Sequence, residues 1–119
     1  MAEETVALGY TRAFIDHPFS EVFELDAPAM KRWAEAGLRF ALTWDELSPL
    51  LGVDTQDMVA AIRAVGPEHF MLSSDAGIPI LPPTVEAYRL LAATLRAYGM
   101  TEPEMRQLMT GSAEEIVEV

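Results

Sequence analysis

Cysteine is absent from the 119 residues, which excludes disulfide staples and thiolate metal sites. Basic side chains are scarce: 8 Lys and Arg stand against 19 Asp and Glu, for a net charge of −11. Nucleic acid is therefore not an expected partner, since affinity for a phosphate backbone comes from clustered positive charge. Long apolar runs are also missing. Arg39, Asp45, Arg89 and Arg96 interrupt the most apolar stretches well short of the roughly 20 residues that cross a bilayer, so no membrane span is expected. Met1–Tyr10 has neither the basic start nor the apolar stretch of a secretory signal, and the expected compartment is the cytoplasm. No Gly-rich loop of the phosphate-binding kind follows a strand, and Gly-x-Ser-x-Gly does not occur. A phosphate cradle and a serine-hydrolase elbow are thereby disfavoured.

What is present is half hydrophobic, enough for one folded domain over residues 1–119 and too much for a disordered chain. Thr11–Asp16 reads as a strand that stops at His17-Pro18, where proline holds the preceding residue in extended geometry. Asp26 before Ala27-Pro28 is an N-cap, and Met30, Trp33 and Ala34 share the inner face of the helix that follows, which Gly37 ends. Leu38–Thr43 is a second strand of the buried-sheet type. A helical turn within Asp45–Leu51 precedes a helix capped at Asp54 or Thr55, with Met58, Val59, Ile62 and Val65 on one face. Gly66-Pro67 stops it.

His69–Ser74 is the third strand and ends in a proline-bearing loop. The apolar stripe Tyr88, Leu91, Ala92, Leu95, Tyr98 marks a long helix over Thr84–Tyr98, closed by Gly99. Thr101-Glu102-Pro103-Glu104 is a capping box opening a last helix, whose Met105, Leu108 and Met109 face inward, and Ser112-Ala113-Glu114-Glu115 repeats the device. The expected fold is α/β, with three parallel strands joined by crossover helices and two C-terminal helices.

Parallel strands bring their C-terminal ends to one edge, where ligand chemistry collects in such folds. Asp16-His17, Thr43-Trp44-Asp45 and Ser73-Ser74-Asp75 stand at those ends. Imidazole and carboxylate are donors to zinc or another divalent ion, and a carboxylate beside the ion can take a proton from water. Neighbouring strands lie about 4.8 Å apart, so His17 and Asp75, separated by one strand, start roughly 10 Å apart and need inward curvature, as in a barrel, to converge.

The run Val65–Gly77 (VGPEHFMLSSDAG), the long helix after it, Tyr98–Glu104 and the closing helix resemble the last strand and tail of an amidohydrolase-superfamily (β/α)8 barrel. Ala13–Pro18 (AFIDHP) is similar to that superfamily's sixth strand, which ends in a metal-binding histidine. The resemblance implies a partial barrel of strands six to eight and a metal-dependent hydrolase. It makes His17 and Asp75 metal ligands, and Asp75 also the catalytic proton acceptor from the attacking water, with a divalent ion (zinc or manganese) as cofactor and a small molecule as substrate. The first-strand His-x-His, the bridging fourth-strand residue and the fifth-strand histidine have no counterpart here, and Gly111-Ser112-Ala113 stands where Asn-Pro-Ala often closes the family's last helices.

Each of these residues also has a plainer use. Asp75 suits a turn cap and His17 a turn hydrogen bond. Trp44 and Asp45 suit covering the sheet end and capping the next turn, although they could line a pocket. His69 begins its strand and so belongs at the opposite edge. Met30, Met58, Met71, Met105 and Met109 read as core filling, and Glu102, Glu104, Glu114, Glu115 and Glu118 as a solvated face.

A closed barrel takes about 250 residues, roughly twice this length. Three strands alone leave bare edges. The expectation is a homo-oligomer, a missing barrel segment supplied by another chain, or an inner face covered by termini such as Met1–Gly9. The alternative to a hydrolase is a non-catalytic α/β interaction module that associates through its exposed sheet edges.

Overall fold

The computed structural model describes residues 2–10, 12–21 and 25–117. Thr11, expected to begin the first strand, lies outside them, as do Met1 and Glu118. The elements in chain order are α1 (Ala2–Ala7), β1 (Phe14–Asp16), α2 (Ala27–Glu35), β2 (Arg39–Thr43), α3 (Trp44–Leu47), α4 (Thr55–Val65), a 3-10 turn at Pro67–His69, β3 (Phe70–Ser73), α5 (Thr84–Ala97), α6 (Glu102–Arg106), a π-helical stretch (Gln107–Gly111) and α7 (Ser112–Val117). No described helix is long and apolar enough to cross a membrane.

The three strands form one open parallel sheet in the order β1-β2-β3. Phe40 lies level with Phe70 and Leu42 with Leu72. Alternation along the strands therefore puts these four on one face, where all are buried with Met30, Met58, Ile62, Leu91, Leu95, Met105 and Leu108 in one core. The Phe40 and Phe70 rings are tilted across a 5.2 Å centroid separation. One face of the sheet thus packs on the helices, and loops stand at its C-terminal edge.

The punctuation residues act as their chemistry requires. Asp26 accepts from the Ala29 amide at the start of α2, and Asp54 accepts from Gln56 and Asp57 at the start of α4. Gly66 ends α4 at φ 119°, a backbone angle open to glycine. Thr101 and Glu104 close a reciprocal capping box at α6.

The acidic N-terminus forms the helix α1. Three local expectations are corrected. His17 is not extended before Pro18 but left-handed, at φ 53°; its ring is held across the end of β2 by Thr43 Oγ1 at 3.0 Å, and its carbonyl accepts from Ser20 N–H at 3.0 Å. Tyr98, expected on the inner stripe of α5, follows the helix as its C-cap and is exposed. Ser112 does not start a separate capped helix, because the chain passes through the π stretch in helical geometry. Its buried hydroxyl instead donates to the carbonyl of Glu68 at 3.0 Å, tying α7 to the entrance of β3.

Candidate metal centre

The register decides which groups meet at the C-terminal edge. β1 ends with Asp16 level with Ala41, whereas β2 and β3 run on to Thr43 and Ser73. His17 therefore leaves its strand short of the end of β2, and its left-handed backbone turns the ring across that end. Its Nδ1 lies 3.0 Å from Thr43 Oγ1 and 3.5 Å from Asp45 Oδ2. On the other side of β2, Asp75 is also left-handed, at φ 43°, and its Oδ2 lies 3.3 Å from His17 Nε2. The two residues expected at a common rim are together. The barrel curvature expected to be necessary is not what joins them: two left-handed turns reach over the end of the middle strand.

A third group completes the cluster. Asp45, in the first turn of α3, is buried, and one ligand atom from each of His17, Asp45 and Asp75 lies within 4.8 Å of the other two. Reading Asp45 as a helix cap missed this. The available signal was its position two residues past the end of β2, on the same rim.

Proton counting defines the chemistry. The Thr43 hydroxyl donates to the Asp45 carboxylate, so its oxygen is left to accept from His17 Nδ1–H. In a neutral imidazole this places the free lone pair on Nε2, facing the Asp75 carboxylate. Two acceptors at that separation repel unless a proton or a metal cation lies with them. One imidazole nitrogen and carboxylate oxygens form a donor set that suits zinc or manganese, and the Thr43 hydroxyl behind Nδ1 orients the ring as hydrogen-bond partners of ligating histidines do. The residues fit a divalent ion.

Beneath this cluster lies Glu46, fully buried. Its Oε2 accepts from Thr43 N–H at 3.0 Å and its Oε1 from Phe19 N–H at 2.9 Å. Burial pushes its carboxyl above the usual carboxylate range, against the two backbone hydrogen bonds that favour the charged form.

The same two loops also wall an open groove of about 310 Å³ lined by Trp44, Ser48, Pro49, Leu50, Ile80, Leu81 and Pro82. The Ser48 hydroxyl is already committed to Asp45 O and Leu50 N. The groove is therefore mainly apolar.

His69 lies in the 3-10 turn before β3, at the edge opposite Asp75, as expected. Burial holds its pKa below the ordinary imidazole value, with Arg39 adding to the effect. Ser73 and Ser74 sit at the end of β3 and beyond it, and His17, the histidine of that edge, is engaged with Thr43, Asp45 and Asp75.

Compared with family models, with curated proteins and with solved structures, the chain matches none, so its function has to be read from this geometry.

Proposed function

We propose that His17, Asp45 and Asp75 hold one divalent cation, zinc or manganese, and that the chain belongs to a metal-dependent hydrolase of the amidohydrolase kind, contributing strands six to eight of its barrel. The observation that carries the reading is the 3.3 Å approach of His17 Nε2 to Asp75 Oδ2 while Nδ1 is committed to Thr43. Two ligands alone fall short of the three that a catalytic metal usually takes, and Asp45 supplies the third donor within reach. When bound, the ion would supply Lewis-acid activation of a water molecule.

The chain's own residues do the rest. Thr43 fixes the imidazole through Nδ1, the negative cluster would attract the cation, and Asp75, the most exposed of the three, would take the proton from water. The apolar groove beside the rim would hold the uncharged part of a small-molecule substrate.

The test is calorimetric titration of the whole chain with zinc and with manganese, alongside Asp75→Asn. Wild type should bind one ion at least tenfold more tightly than the variant. Equal affinities would end the metal reading.

A second reading, a non-catalytic module that associates through a sheet edge, draws on a different observation. β1 is an outer strand, and its Phe14 is 51% exposed. Light scattering separates the two: a concentration-dependent dimer that Phe14→Lys abolishes, with no metal bound, would favour the module.

A further inference from the structure

Glu46 is out of place for its type. Glutamate is rarely buried without a cationic partner, yet this side chain has no exposed surface and sits at the base of the His17 cluster. One of its oxygens serves a local purpose, reaching back to Thr43 N–H as the closing half of the α3 capping box. The other does not. Oε1 accepts from Phe19 N–H, 27 positions away and two residues beyond His17.

The turn that carries His17 is closed on itself by Ser20 N–H to His17 O, and its backbone is tied to β2, among the described hydrogen bonds, by His17 N–H to Ala41 O at a long 3.3 Å. Glu46 is thus the strut that joins this turn to Thr43, the residue whose hydroxyl receives His17 Nδ1. Both ends of the His17–Thr43 hydrogen bond are referred to one carboxylate.

We infer that Glu46 is a positioning residue: by accepting the Phe19 and Thr43 amides together, it sets the orientation and the tautomer of the His17 ring, leaving Nε2 directed at Asp75. The inference rests on the metal-site reading for its purpose but not for its test. A leucine of similar size would fill the space without desolvating a charge. Glutamine is the informative replacement. It keeps the volume but presents one acceptor and one NH2 donor to two N–H groups, so one of the two backbone bonds must break.

The experiment uses the chain's simplicity: it has 2 histidines, so ring-nitrogen NMR of the metal-free, 15N-labelled protein gives two separable sets of signals. At a pH above which the ring signals no longer change, wild-type His17 should show protonation at Nδ1, and Glu46→Gln should move the His17 ring signals toward the Nε2–H form while leaving His69 unchanged. Zinc affinity should fall ten- to a hundredfold in the same variant, the range for loss of a group that orients a ligand.

A folded Glu46→Gln with unaltered His17 ring signals would overturn the inference. If wild type binds no zinc, the metal reading fails, while the ring signals still decide the role of Glu46. Should Glu46→Gln fail to fold, couplings across the hydrogen bonds from the Phe19 and Thr43 amides to the Glu46 carboxyl carbon in wild type take over the decision. Both present would support the inference, and either one missing would overturn it.

Discussion

His17 and Asp75 stand at the ends of the two outer strands, both in left-handed backbone geometry at φ 53° and 43°, and meet over the end of the middle one at 3.3 Å. Left-handed backbone is uncommon outside glycine, and Asn and Asp tolerate it best because a short polar side chain can bond locally. Asp75 fits that preference. Histidine is enriched there too, and the His17 ring contacts with Thr43, Asp45 and Asp75 accompany that geometry.

The left-handed backbone is measurable as stability. His17→Asn and His17→Val both lose the ring contacts, but His17→Val should cost about 1–2 kcal/mol more, because a branched Cβ crowds the carbonyl there whereas asparagine accepts positive φ. Urea denaturation of both variants checks it. Equal midpoints would mean that the turn is not held left-handed in solution.

Much of the fold is legible in the residues, for identifiable reasons. Gly66-Pro67, Asp26-Ala27-Pro28 and Thr101-x-x-Glu104 act through local backbone chemistry, so their effect does not depend on what packs nearby. The same holds for the common rim of His17 and Asp75, which follows once the strands are parallel. Asp45 and Glu46 were less visible, because their importance depends on which way α3 turns its first residues after β2. Thr43-Trp44-Asp45-Glu46 has the Thr-x-x-Glu spacing recognised at Thr101, and that was the available clue to a buried Glu46. Ser112 shows the opposite case: its spacing fitted a cap, but a carbonyl 44 residues away took its hydroxyl.

Acid should reveal a second, separate contact. Arg63 on α4 pairs with Glu104 on α6 at 2.9 Å and also donates to Gly99 O, and the Arg63 hydrogen bond, helped by the Thr101 amide, lowers the Glu104 carboxyl to about 2. A carboxyl lowered in the folded state adds stability above its unfolded value of 4.5 and loses it as pH falls through about 2. The pair is largely solvated, so its contribution should be small. Glu104→Gln should therefore be less stable than wild type at neutral pH and converge with it as pH drops from about 4.5 to about 2. A constant gap across that window would disprove the assignment.

The core makes a larger demand. Phe40 and Phe70 are both without exposed surface, and Phe40→Ala should cost about 3–5 kcal/mol through lost burial and the cavity left behind. A domain of this size is stable by only about 5–15 kcal/mol, so the variant should unfold at a much lower urea concentration. A loss below about 1 kcal/mol would show that the two rings are not packed as described.

The three donors are unequally anchored. His17 and Asp45 are braced through Thr43 and Glu46 to the central strand, but Asp75 rides on 74–83, a stretch with no helix or strand, whose tip is drawn in by Leu81 N–H to Ile78 O. Backbone of that kind opens at low free energy. Cargo would accordingly enter and depart on the Asp75 side, as through a hinged door hung on a fixed frame, and occupancy would register first as slower amide exchange along that loop.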